Sequence, residues 1–543
     1  RLQWRDWKMR EQGLPALSHQ IAKESAKSAD ILVATHMPMP PPLPEQGYDV
    51  ALDSPYCFVN MLDYTDCSDI EGFEVAGRVP IHRTYDKKDP VPDIETLICI
   101  NRHLDVNAKE LEYQRSGWGY QEYLNTFEKF KTQGSKINEL AWEAGVVVMR
   151  DEYAGPPRRV VEAYEVVKPL EKSPGWPGIL NYKTSQDFRD AYPTRTIKLW
   201  ETMGREPIYS PAYAFLKDEP IAIAKIKAKD RRLILCWDDS FQVCKLRFQQ
   251  EDHTMMKERW WTHESKMGWS PLLGGFHQSL KRLRPYTFKI QEDFKRYDGT
   301  IPARLMYEIY QMDWDNLRAQ DKTALNEMRY YNIVHNSIYS FEIMPDGYVV
   351  RHTHGNKSGT ADTTPLNAKA NTFLKAYEIA KFLLDNGEIF SEDIPTFDVT
   401  RKSYYSMITY GDDRLVGENI EISPQQKEDI YAGLGMWLPK EKIKVSDEFE
   451  GLQFCGATIK RDPRTNRYYP CWGDNDKMLG AFTWSDTSVR EKIASYVAFT
   501  YGGRYHKIFQ QIADDVGVSV MSPQELNLLY TSGPKFSPSA EYD

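Results

Sequence analysis

The sequence predicts an α+β protein built from several packed subdomains, on three observations. Short apolar or alternating runs, each ending in a charged loop, predict strands that carry carboxylates at their ends. Helical spacings of apolar residues recur between those runs. No repeat of fixed period emerges, which excludes a solenoid or propeller, and 543 residues exceed what one hydrophobic core organises.

Taken in order, the first hundred or so residues mix short apolar runs with a proline cluster, MPMPPPLP at Met37 to Pro44, which predicts an irregular, polyproline-like extension. The opening RLQWRDWKMR has no signal-peptide apolar stretch, and no run approaches the roughly 18 apolar residues of a membrane-spanning helix. A soluble, non-secreted chain is expected. Because it begins at Arg1, the chain is expected to be truncated or cut from a longer precursor. From Tyr120 to Glu152 the pattern turns helical, with Tyr123, Phe127, Phe130, Leu140 and Trp142 on one buried face. Gly155, Pro156 and Pro157 end it. KSPGWPG at Lys172 to Gly178 is a loop, since Pro174 and Pro177 exclude regular helix.

Leu233 to Leu235 and the set Tyr286, Phe288 and Ile290 predict strands. Helical spacing returns after Pro302 through Leu305, Met306, Ile309 and Tyr310, and after Pro365 through Leu366, Phe373, Leu374, Tyr377 and Leu383. These helices are expected to pack under a sheet.

A net charge of -9 argues against a protein that coats nucleic acid indiscriminately. Yet Lys225, Lys227, Lys229, Arg231 and Arg232 crowd into KIKAKDRR, and Lys281, Arg282 and Arg284 follow in KRLR. Such runs either line an internal phosphate channel or form solvated loops. Seven scattered cysteines without a C-x-x-C pair fit reduced thiols and argue against structural zinc.

Three segments carry chemistry. SYYSMITYGDDRLVG reads as a β-hairpin whose Gly411-Asp412 turn exposes Asp412 and Asp413. Adjacent carboxylates repel unless a cation neutralises them, so a divalent metal site competes with a plain solvated turn. In KIQEDFKRYDGTIP, Asp293 ends a strand and Asp298 follows five positions later. Asp293 completes a metal site with Asp412 on this reading, and Asp298 reaches another part of the same ligand. HGNKSGTADTTPLNAKANTF supplies Ser358, Gly359, Thr363 and Asn367, whose hydroxyl and amide groups suit reading a sugar hydroxyl, or capping of the helix that follows. His352 and His354 are spaced like metal ligands but are expected to be ordinary loop residues.

In order and spacing these segments resemble motifs A, B and C of the palm of RNA-dependent RNA polymerases from positive-strand RNA viruses: Asp293 and Asp298 for A, Ser358-Gly359, Thr363 and Asn367 for B, and Tyr410 to Asp413 for C. RYDGTIP and SPLLGGF look most like the astrovirus polymerases, although GNKSGTADTTPLN departs somewhat from that group. KDEP at Lys217 to Pro220 with the basic run resembles motif F, SPGWP at Ser173 to Pro177 motif G, and LQFCGATIK motif E.

The resemblance implies a right-hand fold of fingers, palm and thumb with an antiparallel palm sheet backed by helices. Its expected boundaries are an N-terminal extension and fingertips at 1–120, fingers at 121–285 and 311–357, palm at 286–310 and 358–460, and thumb at 461–543. It implies two magnesium or manganese ions held by Asp293 and Asp412 with Asp413 at the rim, and a motif D lysine, Lys442 in preference to Lys440 or Lys444, that protonates pyrophosphate. Asp298, Ser358, Thr363 and Asn367 are expected to select ribose. Lys225, Lys227, Lys229, Arg231 and Arg232 are expected on the triphosphate, and Ser173, Gly175 and Gly359 on the template. Implied partners are template and product RNA, ribonucleoside triphosphates, a protein primer and other viral replication proteins, in host cytoplasm at membrane-associated complexes. A reverse transcriptase or a non-catalytic RNA-binding protein are the alternatives.

Overall fold

The computed structural model describes residues 51–533 except positions 64, 69, 71, 133 and 135, so the Met37 to Pro44 cluster lies outside the described residues. Among the described residues, three sheets of three or more strands organise the fold. The first runs β1-β8-β7-β3-β5, from β1 (Val75–Arg78), β3 (Ala212–Leu216), β5 (Leu233–Trp237), β7 (Ser340–Ile343) and β8 (Tyr348–His352); β3 and β7 are parallel and the other pairs antiparallel. A short ribbon pairs β2 (Tyr113–Gln114) with β4 (Ile221–Ala222).

The second sheet joins β6 (Phe288–Glu292), β9 (Tyr405–Tyr410), β10 (Asp413–Glu418) and β11 (Ile443–Ser446), all antiparallel, in the order β11-β6-β10-β9. Strand β9 is buried from Tyr405 to Thr409 and surfaces only at Tyr410, as an apolar run covered on both faces requires. The Thr363–Asp385 helix packs on β9, and the helices Glu139–Glu152, Ala303–Asp315 and Pro424–Gly433 pack against it in turn. Its Leu366, Phe373, Leu374, Tyr377 and Leu383 are buried, at the helical spacing the sequence displays. Tyr123, Phe127, Phe130 and Trp142 are buried as expected, whereas Leu140 stays exposed at the start of its helix.

Beneath this sheet lies a dry ionic network. Glu292, Glu378 and Glu418 meet Lys375, Arg414 and Lys427, and the side chains of all six are fully buried. Lys427 Nζ stands 2.6 Å from Glu292 and 2.9 Å from Glu418; Lys375 Nζ is 2.7 Å from Glu378; Arg414 is 2.6 Å from Glu292. Three carboxylates against three cations leave no net charge, which is what makes burial tolerable. The same carboxylates lie close enough together to suggest a metal cage, but the cations already fill it.

The third sheet, β12 (Gln453–Phe454), β13 (Ala457–Arg461) and β14 (Tyr468–Cys471), leads into four helices between Asp476 and Thr531. Leu479, Phe482, Ile493, Phe509 and Leu526 form their core together with Cys99 and Ile100 of the Ile94–Asn101 helix. The described part of the N-terminal region is therefore not an irregular extension. It supplies β1 to one sheet and a helix to the C-terminal core, because Val75 to Arg78 finds an open strand edge and the apolar face of Ile94–Asn101 finds the helices. Among the described residues the cysteines form no disulfide.

Candidate active site

Strand β6 stops at Glu292, and Asp293 emerges exposed from its end. The β9–β10 hairpin turns through Gly411 and Asp412, with Tyr410 paired to Asp413 and Gly411 at φ +60°. A positive φ at the first central residue is what a two-residue hairpin asks of glycine. Asn371, on the Thr363–Asp385 helix, donates to the Gly411 carbonyl at 2.8 Å and fixes the turn from below. Because Arg414 pairs with Glu292, one further step of register sets Asp413 beside Asp293. The two acidic segments, far apart in sequence, thus meet at one sheet end about one strand spacing apart.

Their electrostatics match that crowding. Partial removal from water, then the charges of Asp298 and Asp293, push the Asp412 carboxyl above its ordinary range, though its tip still faces solvent. Asp413 is pushed up to about 7, chiefly by desolvation and against a 2.7 Å hydrogen bond from the Cys455 amide. Cys455 belongs to the turn between β12 and β13, so the third sheet reaches back to hold an acid of the hairpin. Lys442 Nζ lies 3.1 Å from Asp293 Oδ2. Carboxylates gathered this way suit a hard divalent cation, which takes oxygen ligands and relieves their repulsion.

The remaining expected residues divide. Asp298 and Asn367 are knitted through Asn356, whose amide donates to the Asp298 carbonyl at 2.7 Å and whose side chain donates to Asn367 Oδ1 at 2.9 Å. Thr363, the first residue of its helix, donates its hydroxyl back to the Thr360 carbonyl at 2.8 Å and caps no helix amide. Ser358 is half-buried and accepts from the Leu235 amide through its carbonyl at 2.7 Å. Lys225, Lys227 and Lys229 are exposed, and Arg232, paired with Glu219 at 3.3 Å, acts on Asp412 through its charge.

Two expectations need correction. Arg231 is buried and donates to the Ser116 and Gly117 carbonyls at 3.2 and 3.0 Å, over the Trp118 ring, so it braces a loop instead of facing phosphate. Gly175 is buried too. A Cβ there would lie 2.1 Å from the Trp237 carbonyl, so its missing side chain makes room for β5 and not for a template. Ser173 and Gly359 do share an open cleft of about 450 Å³, with Lys168, Lys172 and Lys257 on its walls. His352 and His354 are buried; His352 pairs with Glu342, and burial lowers His354 to about 3.

Sequence patterns hid the ionic network and the Cys455 contact. One signal was available: Glu292 falls in phase with buried Ile290 on β6, and a charge at an inward position demands a partner.

Carboxylates clustered at one sheet end, with Lys442 and the charge of Arg232 beside them and two further subdomains around the sheet, define a site suited to a divalent cation and a phosphate-bearing ligand. The viral RNA-dependent RNA polymerase family profile matches residues 111–499, and the chain belongs to that family. It is 29% identical over 405 residues to the non-structural polyprotein 1AB of Turkey astrovirus 1, covering 70% of this chain and 24% of the relative. To the corresponding polyprotein of Ovine astrovirus 1 it is 28% identical over 430 residues, covering 75% and 30%. The chain thus spans under a third of these relatives' length. In structure it is similar to the Sicinivirus 3Dpol RNA-dependent RNA polymerase, with TM-score 0.60 and 15% identity over 85% of this chain and 98% of that one. The right-hand polymerase fold is therefore shared despite low identity.

Proposed function

We propose that this chain copies an RNA template into RNA by metal-dependent nucleotidyl transfer from ribonucleoside triphosphates. The observation that carries the reading is the sheet end where Asp293 and Asp413 become neighbours through the Arg414 and Glu292 register, with Asp412 at the turn. Asp293 and Asp412 would hold two magnesium or manganese ions, with Asp413 at the rim. Bound between these carboxylates, such ions would supply acidification of the primer 3′-hydroxyl and charge neutralisation for the leaving pyrophosphate.

The chain's own residues supply the rest. Arg232, Lys225, Lys227 and Lys229 neutralise the triphosphate. Lys442 delivers a proton to the departing pyrophosphate. Asp298 and Asn367, joined through Asn356, read the ribose, with Ser358 beside them. Ser173 and Gly359 line the cleft for the template. On this reading β7 and β8 join β3 and β5 in the fingers, the second sheet is the palm, and residues 461–533 with the Ile94–Asn101 helix make the thumb. The relatives are non-structural polyproteins, which supports cleavage from a larger precursor; on the same reading the chain works beside other replication proteins, with a protein primer among them, in host cytoplasm. Among the described residues no helix is long and apolar enough to cross a membrane, so attachment to membrane-bound complexes would come through those partners.

The test is primer extension on a homopolymeric RNA template in magnesium or manganese, with RNA binding measured in parallel. Asp412→Asn is expected to abolish nucleotide addition and to leave binding within about twofold, since cations of the channel supply most of the affinity. Equal loss of both would sink the assignment.

A further inference from the structure

Lys129 lies in the single turn Glu128–Lys131, outside every segment assigned a role above. Almost none of it is exposed, and its Nζ stands 3.2 Å from both Oδ1 and Oδ2 of Asp298. Its stem reaches that carboxylate by crossing Gly299. A Cβ on Gly299 would fall 2.3 Å from Lys129 Cγ and 2.4 Å from Cδ, so the glycine after Asp298 is the gap through which the lysine passes. Lys357 is buried nearby, but it donates to the carbonyls of Ile338 and His354 at 2.9 and 2.7 Å and not to Asp298. The other hydrogen bond to the Asp298 carboxylate comes from the Gly299 amide at 2.8 Å.

From this geometry we propose that Lys129 is a positioning residue for sugar selection, holding the Asp298 carboxylate in one plane so that it accepts a ribose hydroxyl. The inference rests on the polymerase reading of this site. An ionised carboxylate only accepts hydrogen bonds, so a nucleotide bearing a hydroxyl at the right place satisfies it and a deoxynucleotide does not. Deprived of Lys129, the carboxylate, which is only partly buried, is free to swing toward water. It then stops discriminating. Lys129 does not need to touch the nucleotide to matter.

Single-nucleotide incorporation with ribo- and deoxyribonucleotides on one template, using the full chain, tests this. Lys129→Met is expected to raise KM for the ribonucleotide about tenfold, the size of one charge-assisted hydrogen bond, and to leave the deoxyribonucleotide unchanged. Lys129→Arg should recover most of the discrimination. In an Asp298→Ala background, Lys129→Met should alter the ratio no further, because the two residues act through one contact. Should Lys129→Met fail to fold, Lys129→Gln, one atom shorter and without the charge, carries the same expectation. An equal change for both sugars, or additive effects with Asp298→Ala, would overturn the proposal. Asp412→Asn keeps the two readings apart: if it extends primers normally, the polymerase assignment fails; if it is inactive while Lys129→Met leaves the sugar ratio intact, only the role of Lys129 fails.

Discussion

Lys440, Lys442 and Lys444 alternate along the approach to β11, and their surroundings separate them. Lys440 donates to Gln425 Oε1 at 2.8 Å, Lys444 is exposed on the strand, and Lys442 reaches Asp293. A proton donor must stand where the leaving group forms, and general acids contribute typically 10²- to 10⁴-fold. Lys442→Leu should therefore lower the maximal rate of single-nucleotide addition by about a hundredfold, while Lys440→Leu stays within about twofold. Rapid-quench kinetics decide between them. Equal losses would remove Lys442 from that role.

At the scale of elements, the ionic network beneath the second sheet fixes the acids above it. Glu292 precedes Asp293 and Arg414 follows Asp413, and the two are cross-strand partners joined at 2.6 Å. The hairpin cannot slip along β6 without parting that pair. Lys375→Met would leave three buried carboxylates facing two cations and should destabilise the fold by about 3 to 5 kcal/mol, the usual result of breaking a buried pair from one side. Denaturant unfolding reads this directly, and a loss under about 1 kcal/mol would show the network to be dispensable. Strands and helices here were largely legible, because Phe288 to Glu292 alternates and Leu366 to Leu383 keeps a helical spacing. Long-range pairings were not. Nothing local in Arg231 or Gly175 distinguishes a residue that braces a loop or admits a neighbouring strand from one that meets RNA, and nothing near Lys129 announces Asp298, since each partner arrives from a distant part of the chain.

Across the whole molecule, burial sets the response to acid. Desolvation lowers His253 and His335 to about 4 and His354 to about 3, against about 6.5 for a free imidazole. The unfolded chain takes up these protons as pH falls below about 6.5, whereas the folded chain resists until about 4, so this stabilisation is complete above the first value and lost toward the second. His335 sits between the rings of Tyr331 and Tyr339, where a phenyl ring fits. His335→Phe should flatten the acid limb of a stability-against-pH curve by about 3 kcal/mol between pH 7 and 4. An unchanged limb would place the sensitivity elsewhere.

Strand β1 belongs to the first sheet and the Ile94–Asn101 helix to the C-terminal core, and only residues 79–93 connect them. Drawn fully taut, such a leash reaches about 50 Å. As long as both anchors hold, the first sheet and the C-terminal core can part by no more than that length along this tether.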